Sequence, residues 1–215
     1  MKNTYIVALA GNPNVGKSTI FNNLTGMHQH TGNWTGKTVA NATGETIIND
    51  KEFTFVDIPG TYSIMSNSEE EEIARDYICF GNPDVTVIVV DSTCLERNLN
   101  LVYQIMEITD NIIVCVNLLD EAKKKKIKID LKKLENLLGV PVVGTVARDK
   151  QTLENLKKFK GAIVITAINT LKVPNEPNEF HRVFFPFWWI AVFEELNIVY
   201  SWHLYIGVNH SILMI

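Results

Sequence analysis

Gly11-Asn12-Pro13-Asn14-Val15-Gly16-Lys17-Ser18 constrains the fold of this chain more than any other stretch. It matches GxxxxGK[ST] and stands between an apolar run at 5–10 and a helix-spaced segment at 18–24 that stops at Gly26. Strand, tight loop and helix in that order make a phosphate-binding loop. The glycines let the backbone turn so that successive N–H groups converge on anionic oxygens. The helix beginning near Lys17 points its positive dipole end at the same anion. Lys17 then reaches the β- and γ-phosphates, and the Ser18 hydroxyl ligates Mg²⁺.

The chain beyond this loop keeps the same rhythm. Segments 43–48 and 52–56 flank Asn49-Asp50 and read as a hairpin. Continuous apolar runs at 85–90 and 112–116 read as buried parallel strands, with helical spacing at 99–108 between them. Asp130 caps a helix that runs to Leu138 and is closed by Gly139; a strand at 141–143 and a helix at 152–160 follow. Residues 28–41 are polar and rich in Gly and Thr, which predicts a mobile loop. Alternating strands and helices imply an α/β fold, a mostly parallel sheet covered on both faces, with one antiparallel strand from the hairpin. In such sheets ligands bind beyond the carboxyl ends of the strands.

Three further motifs fall at those ends. Asp57-Ile58-Pro59-Gly60 follows a strand, so Asp57 can hold Mg²⁺ through water and Gly60 can offer its N–H to a γ-phosphate. Asn117-Leu118-Leu119-Asp120 points to the base. A carboxylate at Asp120 accepts paired hydrogen bonds from the N1–H and amine of guanine, a donor pair that adenine lacks. Asn117 can tie this segment to the phosphate loop. After the last strand, a backbone N–H among Val146, Ala147 and Arg148 can reach guanine O6. Thr38 lies where a threonine can close over Mg²⁺ and γ-phosphate, with Thr31, Thr35 and Thr43 as competitors on spacing alone.

Together these segments resemble the translation-factor-like GTPases and, more narrowly, the ferrous iron transport protein B (FeoB) family. The resemblance rests on GNPNVGKSTIFNNLTG at 11–26, GNWTGKTV at 32–39, DIPGTYS at 57–63, EEEIARDYI at 70–78, NLLD at 117–120 and VPVVGTVAR at 140–148. Asn33-Trp34, Tyr62-Ser63 and Arg75-Asp76-Tyr77 narrow it furthest. It covers about the first 160 residues and implies a P-loop NTPase of Ras-like G-domain type with a six-stranded sheet. It singles out Thr38 as the switch threonine, within a nucleotide-binding segment that includes Gly36 and Lys37. It also implies a GTP/GDP-binding, Mg²⁺-dependent domain on the cytoplasmic face of the bacterial membrane, serving ferrous-iron uptake. Its implied partner is a membrane permease domain, with homo-oligomers formed through the full-length protein. Two departures from the family pattern are Thr35, where proline is usual, and Lys37, where an apolar residue is usual.

Many GTPases carry a water-orienting glutamine just after DxxG. Thr61 and Tyr62 occupy that region here, which predicts slow intrinsic hydrolysis with water held by backbone groups. In potassium-activated GTPases of this group, an asparagine matching Asn14 helps bind K⁺. Asn14 is equally suited to a turn.

The formal net charge of −4 argues against nucleic acid as a partner, and so against a ribosome-assembly or tRNA-modifying GTPase. That RNA-acting GTPase stays the main rival reading, and a GTP-binding switch without useful turnover is the other alternative. Cys79, Cys94 and Cys115 form no CxxC pair and suit a reducing compartment. No signal peptide is read at the N-terminus. Residues 161–215 read as an appendage or an aberrant, shortened end in which no permeation domain is recognised. Within them, 196–215 carries no Asp, Glu, Lys or Arg and is about long enough to span a bilayer, yet Asn197, Ser201, His203, Asn209 and His210 interrupt it. His28 and His30 read as solvated, Glu69 to Glu72 as an acidic helix start, and the lysines at 123–126 as a solvated face.

Overall fold

The apolar runs at 5–10, 85–90 and 112–116 become strands of one sheet. The computed structural model describes residues 4–26, 29–34, 40–48, 51–65 and 68–147. The order along the chain is β1 (Thr4–Gly11), α1 (Lys17–Thr25), β2 (Gln29–Asn33), β3 (Ala40–Ile48), β4 (Lys51–Asp57) and α2 (Glu69–Phe80). It continues with β5 (Val85–Asp91), α3 (Leu95–Met106), β6 (Ile112–Asn117), α4 (Leu119–Lys124), α5 (Leu131–Leu138) and β7 (Val142–Gly144). The sheet order is β2-β3-β4-β1-β5-β6-β7. β3 is antiparallel to both its neighbours, and all other pairings are parallel. One strand therefore runs against the rest, as the hairpin predicts.

The sheet has seven strands where the sequence predicts six. The additional one is β2, in a segment read as a loop. Gln-His-Thr-Gly-Asn shows no apolar alternation, so nothing local marks it as a strand. Pairing with β3, from Gln29↔Gly44 to Asn33↔Ala40, makes it one. Two helices also differ from expectation. α3 begins at Leu95 rather than 99, because Asp91 accepts from the Thr93 amide at 2.7 Å and starts a 3₁₀ turn that feeds straight into the helix. α4, under two turns long, falls where the sequence shows no helical spacing.

One face of the sheet packs on α1. Val7 and Leu9, Phe53 and Phe55, Val85, Val87 and Val89, and Ile113 and Cys115 meet Ile20, Phe21 and Leu24 there. The strand residues alternate, as a period of two requires. Burying each large apolar side chain contributes about 1.5–3 kcal/mol. β5 and β6 are buried on both faces, and α3 lies against β5. Burial pushes the Cys115 thiol pKa far up; Cys79 is half-buried and Cys94 exposed.

The helix ends follow the sequence signals. Ser68 accepts from the Glu71 amide at 3.2 Å and starts α2 behind its four glutamates. Asp130 does the same for α5 through the Lys133 amide at 2.9 Å, and Gly139 closes that helix at φ 68°. Among the described residues, no helix is long and apolar enough to cross a membrane. The Asn49-Asp50 turn, the helix expected at 152–160 and the charge-free stretch at 196–215 lie outside the described residues.

Candidate functional site

The predicted site residues that are described collect at the carboxyl ends of β1, β4, β6 and β7. β1 is the switch point of this topology, because β2 to β4 lie on one side of it and the chain then crosses through α2 to build β5 to β7 on the other. The loop from Gly11 to Ser18 leaves β1 and enters α1 there. Two of its positions admit only glycine. A Cβ on Gly11 would stand 2.5 Å from the Val89 carbonyl oxygen. Gly16 is left-handed at φ 86°, and a Cβ there would stand 2.4 Å from Asn117 Nδ2. Asn14 is also left-handed at φ 65° and its side chain is exposed, as is that of Ser18. Asn12 is buried, and neither polar atom of its side chain has a partner among the described residues.

Lys17 and Asp57 form an ion pair from the two neighbouring strand ends, with side chains only 10% and 16% exposed. Such a pair cannot lose one member cheaply, because the other charge stays buried. The segment after Asp57 folds back on the phosphate loop. Ile58 N–H donates to the Leu9 carbonyl at 3.0 Å, and Thr61 N–H donates to that of Gly11 at 3.2 Å. A Cβ on Gly60 would lie 3.3 Å from Pro13 Cα, so Pro59 and Gly60 sit directly over the loop.

The base end is tied to the same loop by one side chain. Asn117 Nδ2 donates to the Val15 carbonyl at 2.9 Å, while Oδ1 accepts from the Ala147 amide at 3.2 Å. Asn23 of α1 adds a bond to the Ala147 carbonyl at 3.0 Å. Three segments distant in sequence are thereby fixed together. Leu118 turns left-handed at φ 62° and starts α4, which carries Leu119 and Asp120 in its first turn. Leu119 also packs where Gly144 leaves no room for a side chain. Asp120 Oδ1 is buried with no partner among the described residues. An acceptor buried unpaired costs about 1–3 kcal/mol, which a ligand donor relieves. Val146 lies between Thr145 and Ala147 in the strand-end turn. Gly36, Lys37, Thr38 and Arg148 lie outside the described residues.

Sequence reasoning missed the supports of the segment that follows Gly60. Tyr62 lies under the Arg97 guanidinium, 4.2 Å from ring centroid to carbon. Gln104 Oε1 accepts from the Ile64 amide at 2.9 Å and from the Ser63 hydroxyl at 3.1 Å. A glutamine or arginine on a helix face carries no motif, so only the fold reveals these contacts. The two signature segments also meet: Trp34 stands edge-on to Tyr77 at 5.2 Å, and burial raises the Tyr77 hydroxyl pKa. Arg75 and Asp76 pair at 2.9 Å on the exposed side of α2, where such a pair contributes little.

Residues 5–159 match the family model for ferrous iron transport protein B. The chain belongs to the FeoB family. A Fe(2+) transporter FeoB from Salmonella typhimurium is 44% identical over 155 residues, which are 70% of this chain and 20% of the relative. The chain thus spans about a fifth of the length of the curated relatives it matches. Among solved structures, the FeoB G domain of Methanococcus jannaschii is 46% identical at a TM-score of 0.66, covering 78% of this chain and 99% of that one. The cytosolic domain of T. maritima FeoB, solved in a GDP form, is 41% identical at a TM-score of 0.71, covering 78% and 64%. The fold is that of a P-loop GTPase G domain, with β1, α1 and the loop between them in the expected FeoB arrangement.

Proposed function

We propose that this chain binds GTP and GDP and hydrolyses GTP slowly, as the nucleotide-dependent regulator of a FeoB-type ferrous-iron transporter at the cytoplasmic face of the membrane. The observation that carries the guanine reading is the base end. Asp120 presents a buried, unpartnered carboxylate oxygen, and Asn117 locks its segment to the loop. The GDP form of the T. maritima relative supports the same reading. Gly11 to Ser18 supply backbone N–H groups to the phosphates, and Lys17 supplies the cation beside them. Leu118, Leu119 and the turn at Val146 and Ala147 frame the base, and Arg148 belongs to the same sequence motif. Gly36, Lys37 and Thr38 close the γ-phosphate side.

The donor set around Asp57 fits Mg²⁺: a carboxylate held in place by Lys17 and an exposed hydroxyl on Ser18 at the start of α1; the family resemblance adds Thr38 as the third group. The ion supplies charge neutralisation on the phosphate oxygens when bound. Asn14 is exposed on the loop and suits a K⁺ ligand, in a position where the cation offsets charge as an arginine finger does. Hydrolysis is slow because neither Thr61 nor Tyr62, the residues just after Gly60, is a water-orienting amide. Thr61 is buried with its hydroxyl donated to the Ser63 carbonyl, and Tyr62 is engaged by Arg97.

Fluorescent-nucleotide titration of the full chain tests the binding claim: guanine nucleotides bind and adenine nucleotides do not. Equal binding of both removes Asp120 from its role. Single-turnover hydrolysis runs below about 1 s⁻¹ without a partner, against roughly 10⁻⁴ s⁻¹ for an unassisted Ras-type enzyme. It is faster in KCl than in NaCl; equal rates discard the K⁺ role of Asn14. The transport link is tested by joining the chain to the membrane domain of a FeoB relative. Uptake no better than that of the membrane domain alone removes the iron assignment and leaves the GTPase. In that setting the permease domain is the partner, and any homo-oligomer forms through it.

A further inference from the structure

The segment that leaves Gly60 has no glutamine of its own, yet a glutamine lies beneath it. Gln104 Oε1 accepts the Ile64 amide at 2.9 Å and the Ser63 hydroxyl at 3.1 Å. Ser63 Oγ in turn accepts the Met65 amide at 2.9 Å, and the Thr61 hydroxyl donates to the Ser63 carbonyl. Seven residues earlier on α3, two turns away and on the same face, Arg97 stacks on Tyr62. Three consecutive residues, Tyr62 to Ile64, are therefore seated on one face of α3. Upstream, the same segment is anchored by Thr61 N–H on the Gly11 carbonyl. Gly60 and its neighbours are thus suspended between two fixed points, the phosphate loop and Gln104.

We propose that Gln104 is a positioning residue for GTP hydrolysis: by holding Ser63 and Ile64 it sets the backbone of Gly60 to Tyr62 against the γ-phosphate. This rests on the hydrolytic reading above. Where water is oriented by backbone rather than by a side-chain amide, the accuracy of that backbone limits the rate. A displacement of a fraction of an ångström at a reacting centre is costly in turnover, though it leaves ground-state binding intact. The hydrogen bonds of Gln104 go to Ser63 and Ile64 and not to the phosphate loop or the Asn117 segment, so its loss falls on turnover and not on GDP affinity. It also makes α3 the element that feels a change in the nucleotide, since any movement of Gly60 pulls on Gln104 and Arg97.

The test uses the full chain with Gln104→Leu, which removes the acceptor, and Gln104→Glu, which keeps one at similar reach. Gln104→Leu is expected to slow single-turnover hydrolysis about tenfold, the equivalent of one lost hydrogen bond expressed in the transition state. Its GDP affinity stays within about twofold of wild type on that same account. Gln104→Glu restores most of the rate. Hydrogen exchange at the Ile64 amide quickens in Gln104→Leu and not in Gln104→Glu. Arg97→Met gives an independent cut on the same platform, slowing turnover a few-fold. A wild-type rate in Gln104→Leu overturns the proposal, as does a parallel fall in GDP affinity. Absence of turnover in the wild-type chain overturns the hydrolytic reading itself, a result that binding and exchange data distinguish from the first.

Discussion

The two ends of this site are built differently. At the base end, Asn117, Val15, Asn23 and Ala147 come from four segments and are joined by side-chain to backbone bonds, with the Asn117 bond to Val15 fully buried. At the γ-phosphate end, the segment after Gly60 is seated on α3 through partly exposed side chains, and Tyr62 is 44% exposed. Buried, cross-linked polar networks resist local opening, while segments with exposed bonds open readily. On the proposed reading, affinity and base choice fall to the rigid end, and the capacity to change with the third phosphate to the loose one. The two functions are separable by mutation.

The largest expected effect breaks the rigid end at its chemistry. Asp120→Asn exchanges an acceptor for a donor, so GDP affinity falls on the order of 10³-fold while xanthosine diphosphate, with an oxygen in place of the amine, gains. Competition between the two nucleotides reads this directly, and unchanged preference would separate Asp120 from base choice. Gly16→Ala strikes the junction. Its Cβ meets Asn117 Nδ2, and the left-handed backbone adds about 1–2 kcal/mol of strain, so GDP affinity drops roughly 100-fold with a lower melting temperature. Calorimetry of the nucleotide-free chain separates the two contributions.

At the loose end the effects shrink and change character. Tyr62→Leu removes an interaction of about 0.5–1 kcal/mol with Arg97 and slows hydrolysis two- to fivefold by that estimate. GDP affinity is unaltered; a drop there would erase the contrast between the ends. The smallest effect is that of Ser68→Ala, which removes the cap of α2 and costs about 1 kcal/mol of stability. A thermal melt shows it as a shift of a few degrees, on the order of 2–4 °C for a domain of this size.

The rigid end was largely legible in the sequence, and the loose end was not. Gly11 to Ser18, Asp57 and Asn117 sit at strand ends with spacing that a phosphate-binding loop demands, so residue type and position speak together. Asp120 was readable for the same reason, although its place on a short helix was not. β2 lacks any apolar alternation and exists by its pairing with β3. Gln104 and Arg97 look like ordinary polar positions of an amphipathic helix. Their partners are decades of residues away, and only tertiary packing brings them under Tyr62 and Ile64. The meeting of Trp34 with Tyr77 was likewise invisible, although both residues had already marked the family.

Cys115 offers a way to time the whole assembly. It lies on β6, next to the last strand of the sheet, in the same core cluster as Val87 and Phe21, and burial holds its sulfur in the unreactive protonated form. With Cys79 and Cys94 replaced by serine, a thiol reagent has one target left, and reaches it only when the sheet parts. The labelling half-life is then a clock for complete opening of the domain. Run with and without GDP, it reports how firmly a nucleotide clasped at one rim closes the core beneath it.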